Sequence, residues 1–131
     1  MFFRMMFKKP AAMMLFVVFF SVVPAGSAPA GKDFPVFPEK GMVTMVDFGA
    51  NSCVPCRMME PVLKKLKKEY EGRAEVVFVN VLEHKQEVLD LGIRAIPVQF
   101  FYSREGEMVY RHDGFMSEEK IRARMKELGV E

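Results

Sequence analysis

Cys53-Val54-Pro55-Cys56 contains both cysteines of this 131-residue chain. Two thiols at that spacing, just ahead of a helix-like segment, can close on each other and open again, which makes them a redox pair suited to thiol–disulfide exchange. A structural staple is the competing reading. A bridge closing so short a loop, however, constrains the unfolded chain least, by roughly 2 kcal/mol on a chain-entropy basis. Asp47 is the next residue of interest, because it interrupts the apolar run 42–48. A carboxylate buried in such a strand is costly, and burial raises its pKa toward the range useful to a general base. On an edge strand it would point into water instead.

Two metal readings compete with redox chemistry. Met58 and Met59 follow the cysteines, seven of the twelve methionines lie beyond residue 30, and soft sulfur ligands suit Cu(I), so a copper-binding chaperone is an alternative function. Against it, Met59 falls on a stripe that reads as core, where methionine usually packs. His84 and His112 are 28 positions apart and lack the close spacing of a zinc site with two cysteines and two histidines. No metal and no cofactor are expected, since the sulfurs themselves carry the electrons.

Elements that would position these residues alternate in type. The segment 34–38, Phe-Pro-Val-Phe-Pro, is an extended lead-in. Residues 42–48 read as a strand buried on both faces. From 54 to 70, Met59, Val62, Leu63, Leu66 and Tyr70 recur at three and four, predicting a helix with one buried stripe that Gly72 ends. Lys64, Lys65, Lys67 and Lys68 form its solvated face, which gives no case for nucleic acid. Residues 74–81 predict a second strand and 83–91 a short helix stopped at Gly92. A third strand over 98–102, a turn at Arg104-Glu105-Gly106 and a partner strand over 107–111 make a hairpin. A last helix starts at Ser117 as N-cap, with Glu118 and Glu119 in its first turn and Ile121, Met125 and Leu128 inward. This order predicts an α/β domain: a central mixed sheet flanked by helices on both faces, with a right-handed first crossover.

The first thirty residues stand apart. Arg4, Lys8 and Lys9 precede the apolar stretch 11–23, and small residues follow, as in a secretory signal peptide. Thirteen residues fall short of the roughly 20 that span a bilayer as a helix, so cleavage is expected, with an uncleaved anchor as the alternative. Both 25–27 and 28–30 offer small-residue cleavage sites. Without this segment the formal charge falls from +2 to about −1, so the basicity belongs to the targeting signal. Residues 31–131 are enough for one small domain, expected as a monomer.

Val46-Asp47-Phe48 six residues before a Cys-x-Pro-Cys, Pro61 in the following helix, and Ile96-Pro97 after Gly92 together resemble the thioredoxin family. The likeness spans 42–128 and implies a thioredoxin-like fold with a shortened N-terminal unit. It also implies roles. Cys53, at the mouth of the helix where unpaired N–H groups favour an anion, would be the nucleophile. Cys56, one turn further in, would be the resolving sulfur that attacks the mixed disulfide. Asp47 would accept the proton of Cys56, through a water. Pro97 would be cis and lie against the disulfide, leaving Ile96 to pair with an extended substrate strand. Val54 and Pro55 would complete the substrate-facing surface.

Departures from the family pattern bear on partners. Gly49 and Ser52 stand where cytoplasmic thioredoxins usually carry tryptophans, and Phe78 takes the place of a buried lysine, so a more strongly raised Asp47 is expected. Pro97 follows Cys56 by 41 positions, which leaves no room for an inserted helical domain. The body therefore resembles plain thioredoxin sent outside the cytoplasm, to the periplasm. Its substrates would be protein disulfides and dithiols. A reducing role there would draw on a membrane electron carrier, and membrane contact of its own would require an uncleaved N-terminal segment. Val54-Pro55 tilts the reading toward reduction. A disulfide donor or isomerase of the same fold is the alternative, because potentials of such pairs span roughly −270 to −120 mV.

Overall fold

A computed structural model describes residues 34, 35, 37, 38 and 41–131; the expected signal segment and its cleavage sites lie outside these residues. Four strands and three helices follow in the order β1 (Val43–Gly49), α1 (Val54–Glu69), β2 (Ala74–Asn80), α2 (Lys85–Asp90), β3 (Val98–Tyr102), β4 (Met108–Asp113) and α3 (Glu118–Glu127). They form one mixed sheet in the order β2-β1-β3-β4. No helix or strand precedes β1 among the described residues.

β1 is central and every one of its residues is buried, which excludes the edge position that would have put Asp47 in water. It pairs in parallel with β2 and antiparallel with β3. Side chains alternate across a strand, and two cores result. Val43 and Met45 of β1, Ala74 and Val76 of β2 and Phe101 of β3 pack under Met59, Leu63 and Leu66 of α1 and Ile121 and Met125 of α3. On the other face Val46, Phe48, Val79, Phe100 and Tyr102 pack with Val88 of α2. Phe34 and Phe37 of the lead-in cover part of this second core, Phe37 meeting Phe48 and Tyr102 at ring-centroid distances of 5.9 and 5.8 Å. Asp47 and Gln99 share the parity of Met45 and Phe101, so both point toward α1.

α1 spans 16 residues and α3 starts on Ser117, whose hydroxyl accepts from the Lys120 N–H. Exposed ion pairs of Arg122 with Glu69 and of Lys65 with Glu118 link the two helices; open to solvent, they orient the helices more than they stabilise them.

The boundaries of α2 and β4 differ from expectation, each for a local reason. α2 starts two residues late, because Asn80 builds a turn: its side-chain oxygen accepts from the Leu82 N–H and its carbonyl from the Glu83 N–H. β4 runs to Asp113, since Val98 pairs with that residue and prolongs the ladder. β2 is an edge strand among the described residues, and Phe78 on it is 44% exposed rather than buried.

Candidate active site

Between β1 and α1 the chain turns through Ala50-Asn51-Ser52-Cys53, closed by the Cys53 N–H donating to the Ala50 carbonyl at 3.0 Å. Cys53 is the N-cap of α1 in extended backbone conformation (φ −90°, ψ 118°), with Pro55 in the first turn, where its missing N–H would have been unpaired anyway. The Cys56 N–H points at the Cys53 sulfur at 3.3 Å. Opening the bond would leave that donor aimed at a Cys53 thiolate, at the positive end of a 16-residue helix. The two cysteines are disulfide-bonded, 5.2 Å apart between Cα atoms. Cys53 is half-buried and Cys56 only 3% exposed, while Val54 between them is 66% exposed.

Asp47, on the face of β1 that packs on α1, is fully buried. Burial pushes its pKa up to about 6, against the opposing effect of a hydrogen bond from Gln99. That bond, 2.8 Å from the Gln99 Nε2 to Oδ1, joins directly opposed residues of β1 and β3. The same Nε2 donates to the Met59 sulfur at 3.3 Å, one helical turn past Cys56. Asp47 Oδ2 and Gln99 Oε1 have no hydrogen-bond partner among the described residues. The carboxyl is thus raised as expected, but it is also tempered by a partner that the sequence reading did not single out. The signal was present: Gln99 is the one amide in the apolar run 98–102, at a parity that faces Asp47.

Gly49 explains how Phe78 reaches the site. A Cβ on Gly49 would sit 3.1 Å from the Phe78 ring, 3.2 Å from Cys56 Cβ and 3.4 Å from its sulfur, so the bare backbone leaves room for the ring beside Cys56. Phe78, Ala50, Leu63 and Val76 line a cleft next to Cys56, with Arg57, Lys64 and Lys67 at its edge. Gly49→Ala should therefore destabilise the domain by about 1–2 kcal/mol through overpacking. In a Phe78→Ala background the cost should fall by at least half; equal costs in chemical denaturation would show that the ring is not the obstacle.

Pro97, whose bond to Ile96 is cis, precedes β3 directly. Val98 opposes Phe48, so Pro97 stands at the end of the sheet where β1 gives way to the Cys53 turn. It is buried and Ile96 half-buried. The structure thus gathers Cys53, Val54, Pro55, Cys56, Asp47, Ile96 and Pro97 at one end of the sheet. His84 and His112 stay outside this group: His84 packs on Phe34 and His112 lies near the Phe115 carbonyl, 3.2 Å from its Nε2. The copper alternative loses a ligand, since Met59 is buried in the core with its sulfur engaged by Gln99.

Comparison with known proteins gives a consistent result. The thioredoxin family model matches residues 34–127. A thioredoxin of Staphylococcus aureus (strain Mu50 / ATCC 700699) is 34% identical over 89 residues, covering 68% of this chain and 84% of the relative. Among solved structures, a mutant thioredoxin from Halobacterium salinarum NRC-1 is similar at 28% identity with a TM-score of 0.61, over 68% of this chain and 75% of that one. Thioredoxin of Fasciola hepatica is similar at 28% identity and a TM-score of 0.58, over 67% and 82%.

Proposed function

Because the chain belongs to the thioredoxin family and its paired cysteines make it a thiol–disulfide oxidoreductase, we propose that it reduces protein disulfides outside the cytoplasm. The observation that carries this reading is the asymmetry of the pair: a half-buried Cys53 capping α1 beside exposed Val54, and a buried Cys56 further along the helix that the buried Asp47 faces.

In the reducing direction the Cys53 thiolate attacks one sulfur of a substrate disulfide. A mixed disulfide forms, and the other substrate sulfur leaves with the bonding pair and takes a proton from solvent. Cys56 then passes its thiol proton to Asp47, and its sulfur attacks Cys53. The Cys53–substrate bond breaks, the second substrate thiolate leaves and is protonated, and the Cys53–Cys56 disulfide remains. Two electrons have moved to substrate. With a pKa of about 6, Asp47 is mostly ionised at neutral pH and ready to accept, yet close enough in pKa to return the proton when the pair is reduced again. Exposed Val54 and the backbone of Ile96 provide the contact surface for an extended substrate segment.

Returning the pair to the dithiol state needs an electron donor. Outside the cytoplasm no soluble nicotinamide-dependent reductase is expected, so a membrane electron carrier with its own dithiol is the proposed partner. The basic and apolar pattern of the first thirty residues supports the location.

A stoichiometric transfer tests the activity. Reduced domain, freed of small thiols and mixed with a disulfide-bonded test protein, should open about one substrate disulfide for each Cys53–Cys56 bond formed, read by alkylation and mass spectrometry. No transfer in a folded sample would rule out the reducing reading. For location, residues 1–33 fused to a reporter active only after export should yield signal; retention of the reporter inside the cell would contradict the proposal.

A further inference from the structure

We propose that Gln99 is a positioning residue for the proton transfer: its amide holds the Asp47 carboxylate by Oδ1 and so presents Oδ2 as the oxygen that takes the Cys56 proton. The inference rests on the reading of Asp47 as proton acceptor and deepens it.

Chemistry fixes the orientation of the Gln99 amide. Its two neighbours at hydrogen-bond distance are a carboxylate oxygen at 2.8 Å and a thioether sulfur at 3.3 Å. Ionised carboxylate and thioether accept but do not donate, so the NH2 group must face both and the carbonyl must face away. One N–H goes to each acceptor. The amide is thereby held at two points on two elements, β1 and α1, and is fully buried with Asp47. A side chain fixed in this way fixes its partner, because a carboxylate whose Oδ1 is tied cannot turn freely about its terminal bond. Oδ2, buried and without a partner among the described residues, is then the oxygen left to accept.

The surroundings leave little else to do this. From α1, Met59 reaches the same amide, and Cys56 stands one turn before it on that helix; from β3 comes Gln99; from β2 the opposed residue is Phe78. Arg57, Glu60 and Lys64 of α1 are exposed. Burial and Gln99 are the two influences on Asp47, so the amide is its one polar tether among the described residues.

The test is a pH profile of resolution, read as single-turnover release of the second thiol from a fluorogenic peptide disulfide. Wild type should show an acid limb near pH 6 that Asp47→Asn abolishes. Gln99→Met, close in shape but without a donor, should move that limb up by about one pH unit, about tenfold in rate at a pH below it. A second measurement needs no variant: in wild type, the Gln99 side-chain N–H resonances should titrate with the same midpoint as the Asp47 carboxyl. A limb that Asp47→Asn removes but Gln99→Met leaves in place, together with static amide resonances, overturns the inference alone. Absence of any limb in wild type, or an unchanged limb in Asp47→Asn, removes the base role of Asp47 and the inference with it. If Gln99→Met fails to fold, the wild-type titration decides by itself.

Discussion

Cys53→Ser should reduce turnover of protein disulfides to background, a loss on the order of 10³-fold or more, because no second sulfur can start the exchange. Cys56→Ser should behave differently. It keeps the attacking thiol at the cap of α1 and removes only the sulfur that releases product, so it should accumulate covalent mixed disulfides with its substrates. Non-reducing electrophoresis and mass spectrometry of the captured adducts read both results, and the adducts also identify the substrates. Burial makes the assignment one-directional: Val54 beside Cys53 is 66% exposed, whereas Cys56 is 3% exposed and lines the same cleft as Phe78. Capture by Cys53→Ser and none by Cys56→Ser would show that the roles are reversed.

Asp47→Asn should make the domain more stable above pH 6 and a poorer enzyme. Burial raises the Asp47 pKa from 3.8 to about 6. The folded state therefore holds a proton that the unfolded chain has already released between those values, and stability falls as pH rises through that window. Below about pH 4 both states are protonated and the cost vanishes; above the folded pKa it is complete, about 3 kcal/mol for a rise of about two pH units. Asn removes the titration, and its oxygen can still accept from Gln99. Its own amide N–H then takes the place of the unpartnered Oδ2, which offsets part of the gain, since a buried unpaired donor costs about 1–3 kcal/mol. Urea denaturation from pH 4 to 8 should show wild type losing stability across the window and the variant staying nearly flat. Resolution should slow in the same variant, most near neutral pH. A wild-type curve without the decline would mean that Asp47 titrates alike in both states and is not the strained base described above.

These two effects come from one arrangement: on the proposed mechanism, the carboxyl that works against the fold is also the group that takes the proton. Much of that arrangement was legible in the residues. The stripe of Met59, Leu63 and Leu66 announced α1, the nearly continuous apolar run around Asp47 announced a strand buried on both faces, and the link between Asp47 and the cysteines came from the family resemblance. The fold lay in local periodicity, which a sequence displays directly. What stayed hidden depended on register. Gln99 meets Asp47 only because β3 lies antiparallel to β1 with those two residues opposed, and no spacing along the chain expresses that. Phe78 read as the stand-in for a buried lysine; its pairing opposite Asp47 and its 44% exposure on β2, an edge strand among the described residues, both depend on sheet order. Gly49 read as a missing aromatic; the structure shows it making room for the Phe78 ring.

The direction of electron flow is the central claim, and the equilibrium potential of the Cys53/Cys56 pair tests it most directly. The domain without residues 1–33 is equilibrated in glutathione buffers of known ratio, quenched, alkylated and weighed. A value near about −270 mV is the predicted result, that of a dithiol able to reduce protein disulfides. A value near about −120 mV, some five decades away in equilibrium constant, would contradict it and identify a disulfide donor.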